Sequence, residues 1–310
     1  MSLHVSPHRP NPPMKLNAQQ LGLLSATGTP AAPRTKTPGP ARKKCGRAVA
    51  RLNELATLKT IAKFGHARIS EISRSVWPKA RYADQLARRT VARLVTQGRL
   101  LGRRNALGSR SYCLTRGGAA WLEARGVEAQ HTLDLSSVAG STFFHGTLAT
   151  RYLIERQTEG CQVAGEYILL RQKTPFPIAG LVKALRKLPD GLVWQRNPDG
   201  SVAVEILEQE ASAKARTELE KCLRAAEYVG RALDKDGIYR VAGLVFAFDR
   251  ELNHARRILL AASSLWADRT TAERVTLERR VKLVAVELRD PLVWVSSTVT
   301  TLHDLRQRGV

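Results

Sequence analysis

The sequence predicts a mixed α/β protein, in which a basic and mostly helical N-terminal domain is followed by an α/β core. Three observations lead to this prediction. Helical segments and a hairpin fill the first half, helical and strand patterns alternate through the second half, and the charge differs sharply between the halves. With 310 residues, 43% of them hydrophobic, the chain is long enough for two domains with a sizeable core.

The positive charge is concentrated in one part of the chain. The net charge is +23, from 50 Lys and Arg against 27 Asp and Glu. The segment 42–125 carries 20 basic and 4 acidic residues, whereas the residues after it carry 26 and 23. The excess of basic residues in 42–125 is larger than solubility requires, so we expect a polyanionic partner for the N-terminal half.

The first 41 residues predict a disordered, basic, Pro-rich tail. They are rich in Pro, Ser, Thr, Ala and Gly and show neither helical nor strand periodicity. The chain has no apolar run of the roughly 20 residues that span a membrane and no secretory signal, so we expect a soluble, cytoplasmic protein. The four cysteines are far apart, which favours reduced and mostly buried thiols over a zinc site or disulfides.

Residues 42–127 have the pattern of a winged-helix DNA-binding domain. We predict helices at 47–64, around 69–76 and at 82–97, strands at 99–103 and 110–114, and a further helix at 115–125. In a winged helix the third helix enters the DNA major groove and the hairpin contacts the backbone.

Arginines are grouped on the two elements that would contact DNA. The third helix carries Arg88, Arg89 and Arg93 opposite an apolar stripe of Leu86, Val91, Leu94 and Val95, and the hairpin carries Arg103, Arg104 and Arg110. Such a surface binds phosphates mainly by releasing counterions. The alternatives are a solvated face of a protein-binding winged helix, and RNA in place of DNA.

The second half, 128–310, predicts an α/β sheet with helices on its faces. We expect a helix at 141–156, strands at 163–170, 191–195 and 202–208, a helix at 212–233, a strand at 238–248, one further helix and a strand at 281–287.

An acidic cluster is the candidate catalytic site of this domain. On a strand of period two, Glu208 and Glu210 continue the apolar row of Val204 and Ile206, and Asp190 begins the neighbouring strand. Three carboxylates this close must be protonated, solvated or neutralised by a divalent cation, and Mg²⁺ or Mn²⁺ suits oxygen ligands best. The alternative is an exposed strand end without a function.

A lysine after the cluster could supply positive charge beside a scissile phosphate. Ser212 is placed to cap a helix on which Lys214, Lys221 and Tyr228 recur every seven residues. With a metal at the three carboxylates, Lys214 would complete a site for hydrolysis of a phosphodiester. The alternative is that the lysines lie on a solvated helix face.

The combination of Pro189-Asp190, Glu208-Gln209-Glu210 and Lys214 behind an arginine-rich winged helix resembles the replication-relaxation family and the related MobC-type plasmid relaxases. The resemblance covers about residues 47–250. It implies a restriction-endonuclease-like core of the PD-(D/E)XK type, with Asp190, Glu208 and Glu210 as metal ligands. The sequence departs from that motif at Glu210, where the family pattern has a lysine. His145 lies where the family often keeps a histidine, although a buried structural role is the interpretation that we favour.

Two functions therefore remain as hypotheses. The first is a metal-dependent, relaxase-like protein that nicks plasmid or mobile-element DNA. The second is a non-catalytic DNA-binding regulator or mobilisation accessory protein with a degenerate nuclease domain. Double-stranded DNA is the expected partner, with a homodimer and the transfer or replication proteins of a mobile element as further candidates. The histidines are scattered and no Walker-type loop is present, which disfavours a tyrosyl intermediate and ATP hydrolysis.

Overall fold

The structure is a computed structural model that describes most of the chain beyond the predicted tail. The described ranges are 46–105, 108–131, 140–210, 214–251, 253–289 and 293–309, and the side chains of 140–142 are also left out. All of these residues belong to one compact unit, 44–310. The predicted tail, 1–41, and the predicted cap Ser212 lie outside the described residues, and the predicted domain boundary after residue 127 stays a prediction.

The described residues of the N-terminal part, up to residue 131, form four helices and a small antiparallel sheet. Its elements are α1 (Gly46–Phe64), β1 (His66–Arg68), α2 (Ile69–Val76), α3 (Ala83–Thr96), β2 (Leu100–Arg104), β3 (Arg110–Leu114) and α4 (Arg116–Glu123). The strands are ordered β1-β3-β2, with both pairs antiparallel. The predicted helices and hairpin are present within one or two residues, whereas the short strand β1 was not predicted.

The apolar face of α3 differs in part from the predicted stripe. Val91 and Leu94 are buried, together with Ala87 and Thr90, but Val95 is 40% exposed. Helix α3 turns a narrow side toward α1 and α2, and Val95 falls outside it. The apolar identity of a residue does not decide its burial at the border of such a stripe.

The second part is built on a six-stranded mixed sheet with helices on both faces. Its elements are α5 (Gly140–Thr158), β4 (Gln162–Gly165), α6 (Glu166–Leu169), α7 (Ala179–Leu185), β5 (Gly191–Arg196), β6 (Val202–Glu210), α8 (Arg216–Leu223), a 3₁₀ helix (Arg224–Tyr228), β7 (Tyr239–Asp249), α9 (His254–Leu265), α10 (Thr271–Arg279), β8 (Val281–Arg289), β9 (Val293–Thr301) and α11 (Leu302–Gln307). The strand order is β4-β5-β6-β7-β8-β9. The β6-β7 and β7-β8 pairs are parallel and the other three are antiparallel.

Each face of this sheet has its own apolar core. One core joins the sheet to α5 and includes Leu153 and Leu207. The other joins it to α7, α8, α9 and α11 and includes Val204 and Ile206. Successive residues of β6 therefore alternate between two buried faces, as expected for a central strand.

Several predicted elements of this part are wrong in extent. The predicted strand 163–170 ends at Gly165 and continues as α6, because a continuous apolar run does not distinguish a strand from a helix. The predicted helix 212–233 reaches only from Arg216 to Tyr228, and Gly230, with φ +95°, turns the chain soon afterwards. The single helix predicted before β8 is two helices, since Thr270 and Glu273 form a capping box that starts α10. Neither β9 nor α11 was predicted.

Candidate functional site

The three predicted carboxylates lie at neighbouring positions of β5 and β6. Asp190 directly precedes β5, and its N–H donates to the carbonyl of Leu207 at 3.1 Å. In return, the N–H of Gln209 donates to Asp190 Oδ2 at 2.6 Å. Antiparallel pairing thus holds Asp190 beside the end of β6, where Glu208 and Glu210 follow Ile206 on the same face.

Glu208 is completely buried and is neutralised by a lysine that sequence reasoning missed. Its Oε2 accepts from Lys187 Nζ, and Cys222 Sγ donates to the same oxygen at 3.3 Å. Burial and the charge of Asp190 raise the pKa of Glu208 to about 7, against the opposing effect of Lys187. The expected alternative of an exposed strand end is therefore wrong for this residue.

Glu210 is also completely buried and is paired with the predicted Lys214. Lys214 Nζ donates to Glu210 Oε1 at 2.6 Å and lies 3.4 Å from the carbonyl of Gln209. Burial raises the pKa of Glu210, and Lys214 opposes this rise. The carbonyl of Lys214 accepts from Arg257 Nη2 on α9, which fixes the backbone that carries this lysine. Lys214 is thus a partner of the cluster and not a residue of a solvated helix face.

Asp190 interacts with His145 on α5. His145 Nε2 lies 3.2 Å from Asp190 Oδ1, and the histidine side chain is 28% exposed. Burial disfavours ionisation of Asp190, but the hydrogen bond and charge of His145, together with Lys187 and the Gln209 N–H, hold its pKa below the ordinary value. The structural role expected for His145 is therefore incomplete, because this histidine contacts the cluster directly.

Whether these residues fit a divalent cation depends on the oxygens that remain without a partner. Glu208 Oε1 and Glu210 Oε2 are both buried and accept no hydrogen bond within the described part of the chain. Such oxygens are costly unless a ligand satisfies them, and carboxylate oxygens suit Mg²⁺ and Mn²⁺. However, the described residues include no group of three or more His, Cys, Asp or Glu side chains already arranged to hold a metal ion. The donor chemistry fits a cation through two oxygens, and Asp190 would join them only by changing its present contacts.

The predicted DNA-binding arginines are exposed, with one of them engaged by a carboxylate. Arg88 and Arg89 are exposed on α3, whereas Arg93 Nε donates to Glu54 Oε1 at 2.6 Å. On the hairpin, Arg104 and Arg110 are directly opposite each other across β2 and β3, and Arg103 lies beside them. Like charges at opposed positions repel each other, so this hairpin carries a local excess of positive charge that its own strands do not neutralise.

Two residues named with Lys214 do not join the cluster. Lys221 Nζ donates to Glu218 at 2.6 Å on the exposed side of α8. Tyr228 lies in the 3₁₀ helix and packs at the margin of the apolar core. The helical spacing that linked them to Lys214 does not exist in the structure, because α8 begins at Arg216, after Lys214.

The missed Lys187 reaches Glu208 through a change of chain direction. Arg186, at the end of α7, has φ +54°, in the left-handed region that ends many helices. This turn directs Lys187 toward the sheet, three residues before Asp190. The only sequence signal was its closeness to Pro189-Asp190, and no spacing linked it to Glu208.

Three other expectations can be compared with the described residues. Cys113, Cys161 and Cys222 are buried and carry no disulfide, as predicted. None of the helices in the described ranges is both long and apolar enough to cross a membrane. No known protein family, curated protein or solved structure matches this chain. The family resemblance of the sequence therefore stays a prediction.

Proposed function

We propose that the protein is a metal-dependent DNA-nicking protein of a plasmid or other mobile element, with a winged helix that binds a DNA site and a PD-(D/E)XK-like core that hydrolyses a phosphodiester. The observation that carries the proposal is the end of β6. Two fully buried glutamates each keep one oxygen without a partner there, beside Asp190.

The arrangement of the elements supports both halves of the proposal. Helices α1 to α3 followed by the β2-β3 hairpin have the order of a winged helix, with Arg88 and Arg89 exposed on the third helix. Asp190 directly precedes β5, and the E-x-E segment ends the adjacent antiparallel strand β6, so the two segments of the proposed nuclease motif are neighbours at one edge of the sheet. The unneutralised arginines of the hairpin favour a polyanion such as DNA.

The residues of the cluster have separable roles in this proposal. Glu208 and Glu210 would hold the cation through their free oxygens, with Asp190 as the third ligand. When bound, a divalent cation activates water and shields the charge that develops on the phosphate. Lys187 and Lys214 oppose the rise that burial causes in the pKa values of Glu208 and Glu210, and so favour the ionised form that a metal ligand needs. His145 orients Asp190 through its Nε2 contact.

A non-catalytic DNA-binding protein is the second candidate, and one specific observation favours it. Each of the three carboxylates already has a cationic or histidine partner from the chain itself. A cluster neutralised in this way needs no metal, so it could stabilise the domain without catalysing a reaction.

A plasmid-relaxation assay separates the two candidates. Purified protein with Mg²⁺ or Mn²⁺ is incubated with supercoiled DNA that carries the flanks of its own gene. We expect nicking by the wild type, its loss in Asp190→Ala and Glu208→Ala, and DNA binding preserved in both variants. Glu205→Gln is the matched control, because Glu205 is on the same strand but pairs with Lys282.

Calorimetric titration with Mn²⁺ gives the complementary measurement. Saturable heat that Glu208→Ala removes supports the metal site. If the wild type shows neither saturable heat nor nicking while it still binds DNA, the nicking proposal is wrong and the regulator is favoured. Equal nicking by the wild type and both alanine variants would refute the assignment of these carboxylates.

A further inference from the structure

A cavity of about 210 Å³ ends at Asp190 and has no role in the proposed reaction. It lies between the end of α1, helix α5 and helix α6. The side chains that matter for its chemistry are Phe64, His66, Phe143, His145, Tyr167 and Leu170.

The walls of this cavity are built from rings held in place by close packing. His66 stacks on Phe143, with the ring centroids 5.1 Å apart and the planes inclined by 21°. The ring of Tyr167 lies against the backbone of Gly65, where a Cβ atom would come within 2.8 Å of it. Gly65 also has φ +79°, so a side chain is disfavoured there on two grounds. The aromatic wall is therefore preorganised and not a chance gap.

The charged residues that line the cavity disfavour an anion as its ligand. Among the described residues that line it, none is a lysine or an arginine, and Glu166 and Asp190 are carboxylates. Both oxygens of Asp190 are already engaged, by the Gln209 N–H and by His145. A phosphate would meet two carboxylates with no lysine or arginine among the described residues of the wall, although Arg171 stacks on the ring of Tyr167, whereas a neutral ring could pack against the aromatic walls.

The size of the cavity also limits the ligand. Its volume is below the roughly 300 Å³ at which pockets for drug-sized molecules begin, so it suits a flat ring system and not a whole nucleotide. Leu170 forms an apolar rim that is 67% exposed and open to a ligand that arrives from solvent. The net charge of +23 favours a polyanionic strand as the partner, and the bases of such a strand are neutral rings.

We propose that this cavity binds one unpaired nucleobase of the DNA strand, turned out of the duplex next to the phosphate that faces Asp190. The inference rests on the proposed function, since it takes DNA as the substrate. A base pulled out of the stack distorts the backbone on either side of it and holds the neighbouring phosphate at a fixed distance. The cavity would thus set the position of the nick relative to the sequence.

A mismatch scan tests this proposal without any cleavage. Duplexes from the flanks of the gene carry a single mismatch at successive positions, and their affinity for the full-length protein is measured by fluorescence anisotropy in EDTA. An unpaired base is easier to extrude, so we expect a gain in affinity of about tenfold at one position. Leu170→Glu, which places a charge at the rim, should abolish this gain. Leu260→Glu, at a 57% exposed site on α9, is the matched control and should keep it.

The possible results separate this proposal from the proposed function. No gain at any position, or a gain that Leu170→Glu keeps, overturns the base-binding cavity while nicking can still be observed with metal. A gain that only Leu170→Glu removes, without nicking in Mg²⁺ or Mn²⁺, supports the cavity and overturns the nicking proposal. Failure of the wild type to bind DNA overturns both.

Discussion

The protonation of Glu208 should make the stability of the protein depend on pH in a distinctive direction. Its pKa rises from the ordinary 4.5 to about 7 in the folded state because of burial. The folded protein then binds more protons than the unfolded chain between these values. The resulting stabilisation is complete below pH 4.5 and is lost as the pH rises to about 7. A difference of this size corresponds to about 3 kcal/mol of unfolding free energy.

Asp190 and Lys187 do not produce the same fall of the unfolding free energy between pH 4.5 and 7. The pKa of Asp190 is held below its ordinary value, so its contribution has the opposite sign and falls at pH values below about 4. The pKa of Lys187 is raised despite burial, because of the charge of Glu208, and its contribution is lost only in alkaline solution. Within the cluster, the window from pH 5 to 7 therefore reports mainly on the two glutamates. Burial lowers the pKa of His66 and of His254, which adds an effect of opposite sign that the wild type and a Glu208 variant share.

The assay is urea unfolding followed by tryptophan fluorescence at pH 5, 6, 7 and 8 for the wild type and Glu208→Gln. We expect the unfolding free energy of the wild type to fall by about 3 kcal/mol more than that of Glu208→Gln over this range. Slopes are compared and not absolute values, because the variant leaves Lys187 without its carboxylate. Glu205→Gln, on the other face of β6, should keep the wild-type slope. Parallel profiles for the wild type and Glu208→Gln would refute the reasoning.

Two further predictions concern the N-terminal part. The double variant Arg88→Ala/Arg89→Ala should lower the slope of log Kd against log salt by about 2, since each phosphate contact contributes about 0.9. Fluorescence anisotropy between about 50 and 200 mM salt measures this slope. An unchanged slope would show that these arginines do not contact DNA. Gly118→Ala should lower the unfolding free energy by about 3 kcal/mol, because the new Cβ would lie 2.1 Å from the carbonyl oxygen of Arg99. In the control Gly117→Ala the new Cβ meets nothing closer than 3.4 Å, so the melting temperature should hardly change. Equal melting temperatures for the two alanine variants would show that α4 can move away from β2.

The sequence predicted local structure where one periodicity dominated and failed where packing decided. A period of two predicts that Val204, Ile206, Glu208 and Glu210 share one face of a strand. In the structure, Val204 and Ile206 lie in one apolar core, and both glutamates are buried at the end of the same strand. The same kind of periodicity predicts a helix from Ser212, but α8 begins at Arg216. Periodicity predicts which side of a helix or strand is buried, but it does not predict the residue at which that element begins or ends.

The charge balance of the cluster was the part of the site that the sequence predicted least well. The sequence alone predicts that the carboxylates are protonated, solvated or neutralised by a divalent cation. The structure adds a fourth possibility, since Lys187, 21 residues before Glu208, reaches it after a left-handed turn at Arg186. A contact between residues so far apart depends on the register of β5 against β6, which no short motif contains. The same register is what allowed Asp190 to be placed beside Glu208 once both strands were predicted.

Lys214 brings a lysine to the cluster, although Glu210 occupies the lysine position of the E-x-K pattern. The ammonium group returns from four residues later in the chain and reaches Glu210 Oε1 at 2.6 Å, so a lysine is present at the cluster although its motif position holds a glutamate. This lysine is bound to a carboxylate, however, and the free oxygens of Glu208 and Glu210 are on the other side of their carboxylate groups. In the proposed site, a cation would use Glu208 Oε1 and Glu210 Oε2, and each lysine would keep the other oxygen of its glutamate. A buried carboxylate with a single satisfied oxygen is costly, and the cation of the proposed function would relieve this cost at both glutamates.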